Sequence, residues 1–440
     1  MRQPSFDMKI FKDRRHSLAS KAEGAAIIMA AHPDMIRNHD VHHPYRQDSH
    51  FLYLTGFEEP ESVLVFRPKK DPEYVLFVRN KDPLRETWDG FRYGPEGAMK
   101  SFGADKSYTY DEIETELPKL LADVDRVYYR LFLNNDFDKK FRSAIETTRA
   151  SQGRSGSGIL PIWDVTELLG EMRLKKTAVE AEWMRKACRI SAEGHIAGMK
   201  YCKPGVNERQ VQAVIEHEFR MLGSPRNGYG SIVASGASAT TLHYVFNDQE
   251  CKSGDLLLVD MGAEYNYYTG DITRTYPVNG KFTPVQKDFY DRVLTVQKHL
   301  VSMIRPGVVF KTLQDTTIEM LTEHMLELGL LKGTVQQNIE QLNYKKYYPH
   351  GVSHWLGMDV HDAGLYKKDG PSRPLESGMV FTVEPGLYVP VDDMTAPAHL
   401  RGLGVRIEDN ILVTDTGHEN MTSTCPKEVK DLEAIIDSAK

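Results

Sequence analysis

At 440 residues the chain is too long for one ordinary domain, and its 40% hydrophobic and 27% charged residues are those of a globular, enzyme-sized protein. A net charge of -7 gives no reason to expect a nucleic acid or an anionic membrane surface as partner. No apolar run approaches the roughly 20 residues of a membrane span.

The N-terminal stretch lacks the pattern of an export signal: its apolar cluster, residues 25–31, is short, and Glu23 and Asp34 lie close on either side. It reads as a core strand following a charged helix around residues 11–16. The four cysteines, Cys188, Cys202, Cys251 and Cys425, are scattered without a CxxC pair, which fits structural thiols in a reducing compartment. The expected location is cytoplasmic. Further strands are predicted near 62–66, 74–78 and 127–129, with helical patterns between some of them, so the first part of the chain reads as an α/β domain around a mixed sheet. Two aromatic stretches stand out in it, residues 45–57 and the turn 88–95, which begins with Trp88.

The Gly/Ser-rich run 151–158 reads as an exposed loop, and residues 165–173 as a short amphipathic helix. Thr177 followed by Glu180 has the spacing of a capping box opening a long helix. The domain boundary is therefore placed near 174, giving domains of residues 1–174 and 175–440. The second domain should carry helices at about 177–202 and 207–222, a hairpin around residues 256–275, helices at about 283–303 and 309–329, and strands at 379–384 and 404–413. That order hints at a duplicated half, without a sequence repeat to match it.

The candidate chemistry gathers in this second part. Residues 256–259 form a continuous apolar run, the pattern of a strand buried on both faces, and it ends on Asp260. After a tyrosine-rich turn a second acid, Asp271, opens a β-branched segment expected to pair back as the partner strand. Two carboxylates held close in a poorly solvated place repel, so either one takes a proton or a cation sits between them. Residues 350–362 offer His350, His354 and His361 in a loop; the apolar strand 380–383 ends on Glu384, stopped by Pro385 and Gly386; Arg406 and Glu408 are two apart in a predicted strand and so share a face. Four carboxylates and an imidazole match the needs of two divalent cations, and oxygen-rich ligation with one nitrogen favours Mn²⁺, Co²⁺ or Zn²⁺.

On these residues the second domain resembles the "pita-bread" metallopeptidases, the group of methionine aminopeptidase, prolidase, creatinase and aminopeptidase P. Asp260, Asp271, His354, Glu384 and Glu408 fall on the group's five metal positions in order. The stretches 45–57, 88–95, 242–244 and 350–362 resemble aminopeptidase P in particular. The resemblance implies an α/β N-terminal domain of the creatinase and aminopeptidase P kind followed by an α+β pita-bread catalytic domain. It also implies two divalent metal ions, Mn²⁺ first and Co²⁺ or Zn²⁺ as alternatives. Asp260 would chelate one metal, His354 and Glu384 would ligate the other, and Asp271 and Glu408 would bridge. Glu384 would also accept a proton from the water between them. His243 and His361 would hydrogen-bond the scissile carbonyl, His350 would help form a proline pocket, and Arg406 would orient an acid or the substrate. For Trp88 a substrate-facing or inter-subunit role stands beside a packed cap or a satisfied loop, and the resemblance implies a homodimer or homotetramer.

The activity implied is metal-hydroxide attack on the bond between a first residue and a following proline, in peptide substrates with proline second. A prolidase restricted to Xaa-Pro dipeptides would use the same ligands. Creatinase is the weaker relative because it works without this metal set. A metal-free peptide-binding module should show replaced ligands, and this chain keeps all five.

Overall fold

The computed structural model describes residues 4–153 and 159–438, so the part of the glycine-serine run at 154–158 lies outside the described residues. The chain divides into two compact units, Met1–Leu169 and Gly170–Lys440. Among the described residues no helix is long and apolar enough to cross a membrane.

The first unit is built on a six-stranded sheet in the order Lys106–Thr109, Tyr74–Val78, Val63–Phe66, Ala25–Ala30, Arg126–Tyr129, Ile162–Trp163. Its neighbours pair both ways: Ala25–Ala30 runs antiparallel to Val63–Phe66 and parallel to Arg126–Tyr129, so the sheet is mixed as expected. The central strands are buried along their whole length, which explains why they read as unbroken apolar runs rather than alternating ones. Helix Asn135–Gln152 lays Phe137, Phe141 and Ala144 into the core formed with Ile28, Val65 and Val127. The aromatic stretch 45–57 contains a short helix, Ser49–Thr55, whose first turn is capped by Asp48, which accepts from the Phe51 amide at 2.8 Å. Trp88 lies on helix Pro83–Asp89 with its side chain 86% exposed.

The second unit has long helices Ala178–Tyr201, Glu208–Met221, Pro284–Met303 and Phe310–Glu327, with small antiparallel sheets between them in chain order, an α+β arrangement. Thr177 and Glu180 form the expected capping box, the Glu180 carboxylate accepting from the Thr177 amide at 2.7 Å. One sheet pairs Leu256–Asp260 with Ile232–Ser235 on one side and Thr273–Pro277 on the other. Another pairs Val380–Val383 with Asp409–Val413, which in turn pairs with His418–Asn420.

Two expectations change here. The partner strand of Leu256–Asp260 begins at Thr273, opposite Asp260, so Asp271 lies ahead of the strand rather than in it. Between the two acids the chain makes a further small hairpin, Ala263–Tyr265 with Tyr268–Thr269, which pairs with Arg226–Asn227 in a separate sheet. Its base is closed by two glycines. A Cβ on Gly262 would stand 1.8 Å from the Gly270 carbonyl oxygen, so only glycine permits the approach. The predicted strand 404–413 is likewise two strands: Gly404–Arg406 pairs with Gly386–Tyr388, and Asp409–Val413 pairs with Val380–Val383. The break falls at residues 407 and 408 because the backbone changes partners there, the Ile407 amide donating to Pro385 and the Glu408 amide to Thr273. Arg406 and Glu408 therefore do not share a strand face by alternation.

Candidate active site

All nine second-domain residues singled out in the sequence line one cavity of about 560 Å³. Asp260, Asp271, His354, Glu384 and Glu408 are there, as are His243, His350, His361 and Arg406. Trp88 belongs to the first unit and is not one of this set.

Each acid reaches the cavity from the end of a buried strand or from the bend beside it. Asp260 terminates its strand, and both of its carboxylate oxygens are engaged: Oδ1 accepts from the Tyr229 hydroxyl at 2.6 Å and Oδ2 from the Arg406 guanidinium at 2.6 Å. Each oxygen keeps a lone pair for a further donor or cation. Glu408 accepts from the Thr273 hydroxyl at 2.6 Å, and the same hydroxyl oxygen accepts from Arg406 Nε at 3.1 Å. Glu384 follows Val380–Val383, with Thr382 donating to its Oε1 at 3.2 Å.

His354 is brought to Glu384 by pairing of the backbone alongside that strand, the Thr382 amide donating to His354 O and the Glu384 amide to Val352 O. Its Nδ1 sits 3.1 Å from the Trp355 carbonyl, which accepts from it and leaves Nε2 to face Asp271 at 3.4 Å and Glu384 at 3.3 Å. His361 stacks edge-on against His354 at 4.5 Å between ring centroids. His350 is bonded through Nε2 to the Tyr388 hydroxyl at 2.9 Å and packs between Tyr348 and Tyr388.

Electrostatically the cavity holds more carboxyl groups than it can keep ionised by itself. Four carboxylates converge in it, and among the described residues lining it Arg406 is the one permanent cation. Burial pushes the Asp271 carboxyl up to about 6, reinforced by Asp260 and opposed by the hydrogen bond to His354. Burial and the charges of Asp271, Glu384 and Asp260 drive Glu408 well above the usual range. Burial disfavours charge on His354 too, but its hydrogen bonds to Asp271 and Glu384 outweigh that and hold the imidazolium. Glu384 also feels burial, yet His354, His350 and Arg406 together bring it down to about 2. Burial and the neighbouring charge of His354 or Arg406 keep His361 and His350 below their usual values, as neutral imidazoles.

Such a donor set fits a cation. Asp271, His354 and Glu408 each offer a ligand atom, and those atoms lie within 4.8 Å of one another. A divalent ion would supply the positive charge that lets these crowded carboxylates ionise, and an oxygen-rich set with one imidazole suits a hard or borderline metal.

Several residues that shape the site carried no signal in the sequence. Tyr229, Thr273, Thr382 and Tyr388 each bond a side chain of the cluster, but every one sits in an ordinary strand or loop pattern. The terminal acids of apolar runs and the clustered histidines announced themselves by pattern, and His243 by the family resemblance. The bond from the Tyr229 hydroxyl to Asp260 is an example: thirty-one positions separate the two, and no local rule links them.

Comparison with known proteins agrees with this geometry. Residues 182–415 match the model of metallopeptidase family M24, and residues 11–128 match that of the aminopeptidase P N-terminal domain. The chain is 40% identical to Xaa-Pro aminopeptidase of Escherichia coli (strain K12), covering 98% of each protein. It is 36% identical to Xaa-Pro aminopeptidase 3 of Homo sapiens, covering 97% of this chain and 85% of the human one. Among solved structures it is similar to the Pseudomonas aeruginosa aminopeptidase PepP, at 43% identity with a TM-score of 0.95 over 99% of both chains. A zinc-substituted Escherichia coli aminopeptidase P in complex with product superimposes with a TM-score of 0.94 at 39% identity, again over 99% of both. The chain belongs to metallopeptidase family M24 and carries that family's catalytic domain behind an aminopeptidase P N-terminal domain.

Proposed function

We propose that this protein is a metal-dependent aminopeptidase that releases the first residue from peptides with proline in second position. The observation that carries the reading is the convergence of Asp260, Asp271, His354, Glu384 and Glu408 with three further imidazoles around one cavity, in a chain similar over nearly its full length to Xaa-Pro aminopeptidases.

Asp260 would hold one divalent ion, His354 and Glu384 a second, with Asp271 and Glu408 shared between them. Mn²⁺ is the first candidate, and Co²⁺ and Zn²⁺ the alternatives. Bound there, such ions would acidify a water and polarise the scissile carbonyl. The Glu384 carboxylate, at the cavity wall, would take a proton from the attacking water and pass it to the leaving nitrogen. His243 and His361 would donate to the carbonyl oxygen as negative charge develops on it. His350, framed by Tyr348 and Tyr388, offers an aromatic nook for a pyrrolidine ring. A proline imide has no N–H, so a site that packs the ring and positions the carbonyl suits it better than one that bonds the missing hydrogen. Arg406 would fix Asp260. Four buried, free cysteines accord with a cytoplasmic location, and the aminopeptidase P resemblance with a homodimer or homotetramer.

The test is hydrolysis of an Xaa-Pro-Yaa tripeptide by metal-stripped protein, with and without Mn²⁺, beside Asp260→Ala. Mn²⁺-dependent release of the first residue, absent in the variant, supports the reading. Silence on the tripeptide with cleavage of an Xaa-Pro dipeptide replaces it with prolidase. No activity on either with Mn²⁺, Co²⁺ and Zn²⁺ all supplied points to a peptide-binding module.

A further inference from the structure

Asp271 lies where the strand ladder has run out. The last paired residues are Asp260 and Thr273, and the Met261 amide still reaches the Ile272 carbonyl, but beyond that the Asp271 peptide has left the sheet. Asp271 is 4% exposed, so its buried N–H and C=O need partners. A single side chain meets both. Asn410 Oδ1 accepts from the Asp271 amide at 2.9 Å, and Asn410 Nδ2 donates to the Asp271 carbonyl at 2.5 Å. The carboxamide serves as one extra rung of β-ladder.

Asn410 is itself fully buried and fixed. It belongs to strand Asp409–Val413, its own amide donates to Thr422 Oγ1 at 3.1 Å, and its Oδ1 also accepts from the Cys188 thiol at 3.2 Å. Two donors on one side and a carbonyl on the other leave the amide a single orientation. Only asparagine fits: aspartate lacks the donor, leucine lacks both groups, and glutamine is a methylene too long for a close-packed site. Glu408 stands two residues before Asn410, and its own amide is tied to Thr273 at 3.1 Å. One short segment thus supplies one carboxylate of the metal cluster and clamps the backbone of another.

We infer that Asn410 is a positioning residue for the metal centre, holding the Asp271 main chain so that its carboxylate keeps its place against His354 and Glu408. The inference rests on the metal-site reading proposed above. Groups that orient ligands from behind typically change metal affinity by roughly 10–100-fold when removed.

The experiment titrates Mn²⁺ into metal-stripped wild type, Asn410→Ala, Asn410→Asp, Asp271→Ala and the double variant Asn410→Ala/Asp271→Ala by calorimetry. Thermal melting in chelator, followed by circular dichroism, accompanies each titration. Weakening of Mn²⁺ binding by roughly tenfold or more in both Asn410 variants, with no further loss when Asn410→Ala is added to Asp271→Ala, is the expected result. Wild-type affinity and stoichiometry in Asn410→Ala overturn the inference, as does an equal further loss in the double variant. Failure of both single Asn410 variants to fold in chelator also overturns it, since that assigns the residue to the fold alone. Absence of Mn²⁺, Co²⁺ and Zn²⁺ binding in the wild type overturns the metal reading itself, a result distinguishable from all the others.

Discussion

The guanidinium of Arg406 meets the carboxylate of Asp260 at 2.6 Å, and the same planar group reaches the Thr273 and Tyr388 hydroxyl oxygens. One side chain therefore ties together three strands at the cavity wall. Lysine carries the charge but not the fork, so it cannot hold all three. Arg406→Lys is expected to lower kcat/KM on an Xaa-Pro-Yaa peptide by roughly tenfold or more, about 1.4 kcal/mol of transition-state stabilisation. Steady-state kinetics at saturating Mn²⁺ checks this, and unchanged constants would discard the orienting role.

The loop bearing His243 is pinned from beneath by a carboxylate held through hydrogen bonds. Glu208 is fully buried and accepts from the Ser235 amide and hydroxyl at 2.7 Å each, from the Tyr244 hydroxyl at 3.0 Å and from the Gln249 amide at 3.0 Å. Glu208→Gln replaces one acceptor oxygen by a donor facing other donors, a loss of about 2–4 kcal/mol. Urea unfolding should show that loss. Turnover should fall with it while Mn²⁺ affinity stays unchanged, because the acids of the cluster lie on other segments.

His195 gives a pH signature remote from substrate. It is fully buried on helix Ala178–Tyr201 and donates from Nε2 to the Met261 carbonyl at 2.9 Å. Burial brings its pKa down from 6.5 to about 4, so the folded protein binds fewer protons than the unfolded chain between those values. Stability from this residue is whole above pH 6.5 and falls as the pH drops towards 4, by about 2 kcal/mol at pH 5. The difference in unfolding free energy between pH 7 and pH 5 should shrink by that amount in His195→Gln; an unaltered difference would show that His195 titrates normally.

Behind the His354–His361 loop, Asp362 is buried between Arg173 and Lys176, bonded to Lys176 at 3.0 Å and in contact with Arg173, which also reaches Asp359 at 2.7 Å. Removing the acid takes the Asp362 carboxylate from buried Lys176 and one of two carboxylates from buried Arg173. Asp362→Asn is expected to cost about 3–5 kcal/mol, measured as a fall in the denaturation midpoint without a change in slope. A loss below about 1 kcal/mol, the range of exposed ion pairs, would show that water reaches the network.

Trp88 stands on an exposed face of helix Pro83–Asp89, and a substrate-facing role for it is open to test on longer peptides. If it meets substrate in a neighbouring subunit, Trp88→Ala lowers activity on long peptides more than on tripeptides. Equal kinetics on both would end that proposal.

What could be read ahead of the structure followed from how strands end. Asp260 and Glu384 close apolar runs, and an acid there cannot belong to the core that the run builds, so both were visible. The mixed sheet was legible for the same reason, since its buried strands are unbroken apolar words. Asp271 was found but misplaced by one element: the two glycines that pinch the hairpin base, Gly262 and Gly270, insert a second hairpin that no alternation pattern shows. The break between Arg406 and Glu408 was hidden because a strand that changes partners looks in sequence like one that continues. Glu208, Thr273 and Asn410 were invisible on different grounds. Their meaning lies in partners far along the chain, and a threonine in a strand or a glutamate at a helix start is locally unremarked.

The four acids and the one imidazole come from segments far apart in the chain that the folded second unit brings together. An ion gripped by them would be a rivet as well as a reagent, joining the hairpin to the two later strand pairs across a large span of chain. Free ion at a hundred times its dissociation constant would add about 2.7 kcal/mol to the folded state. Cellular supply of the metal would then govern how long each molecule survives proteolysis, quite apart from how fast it turns over.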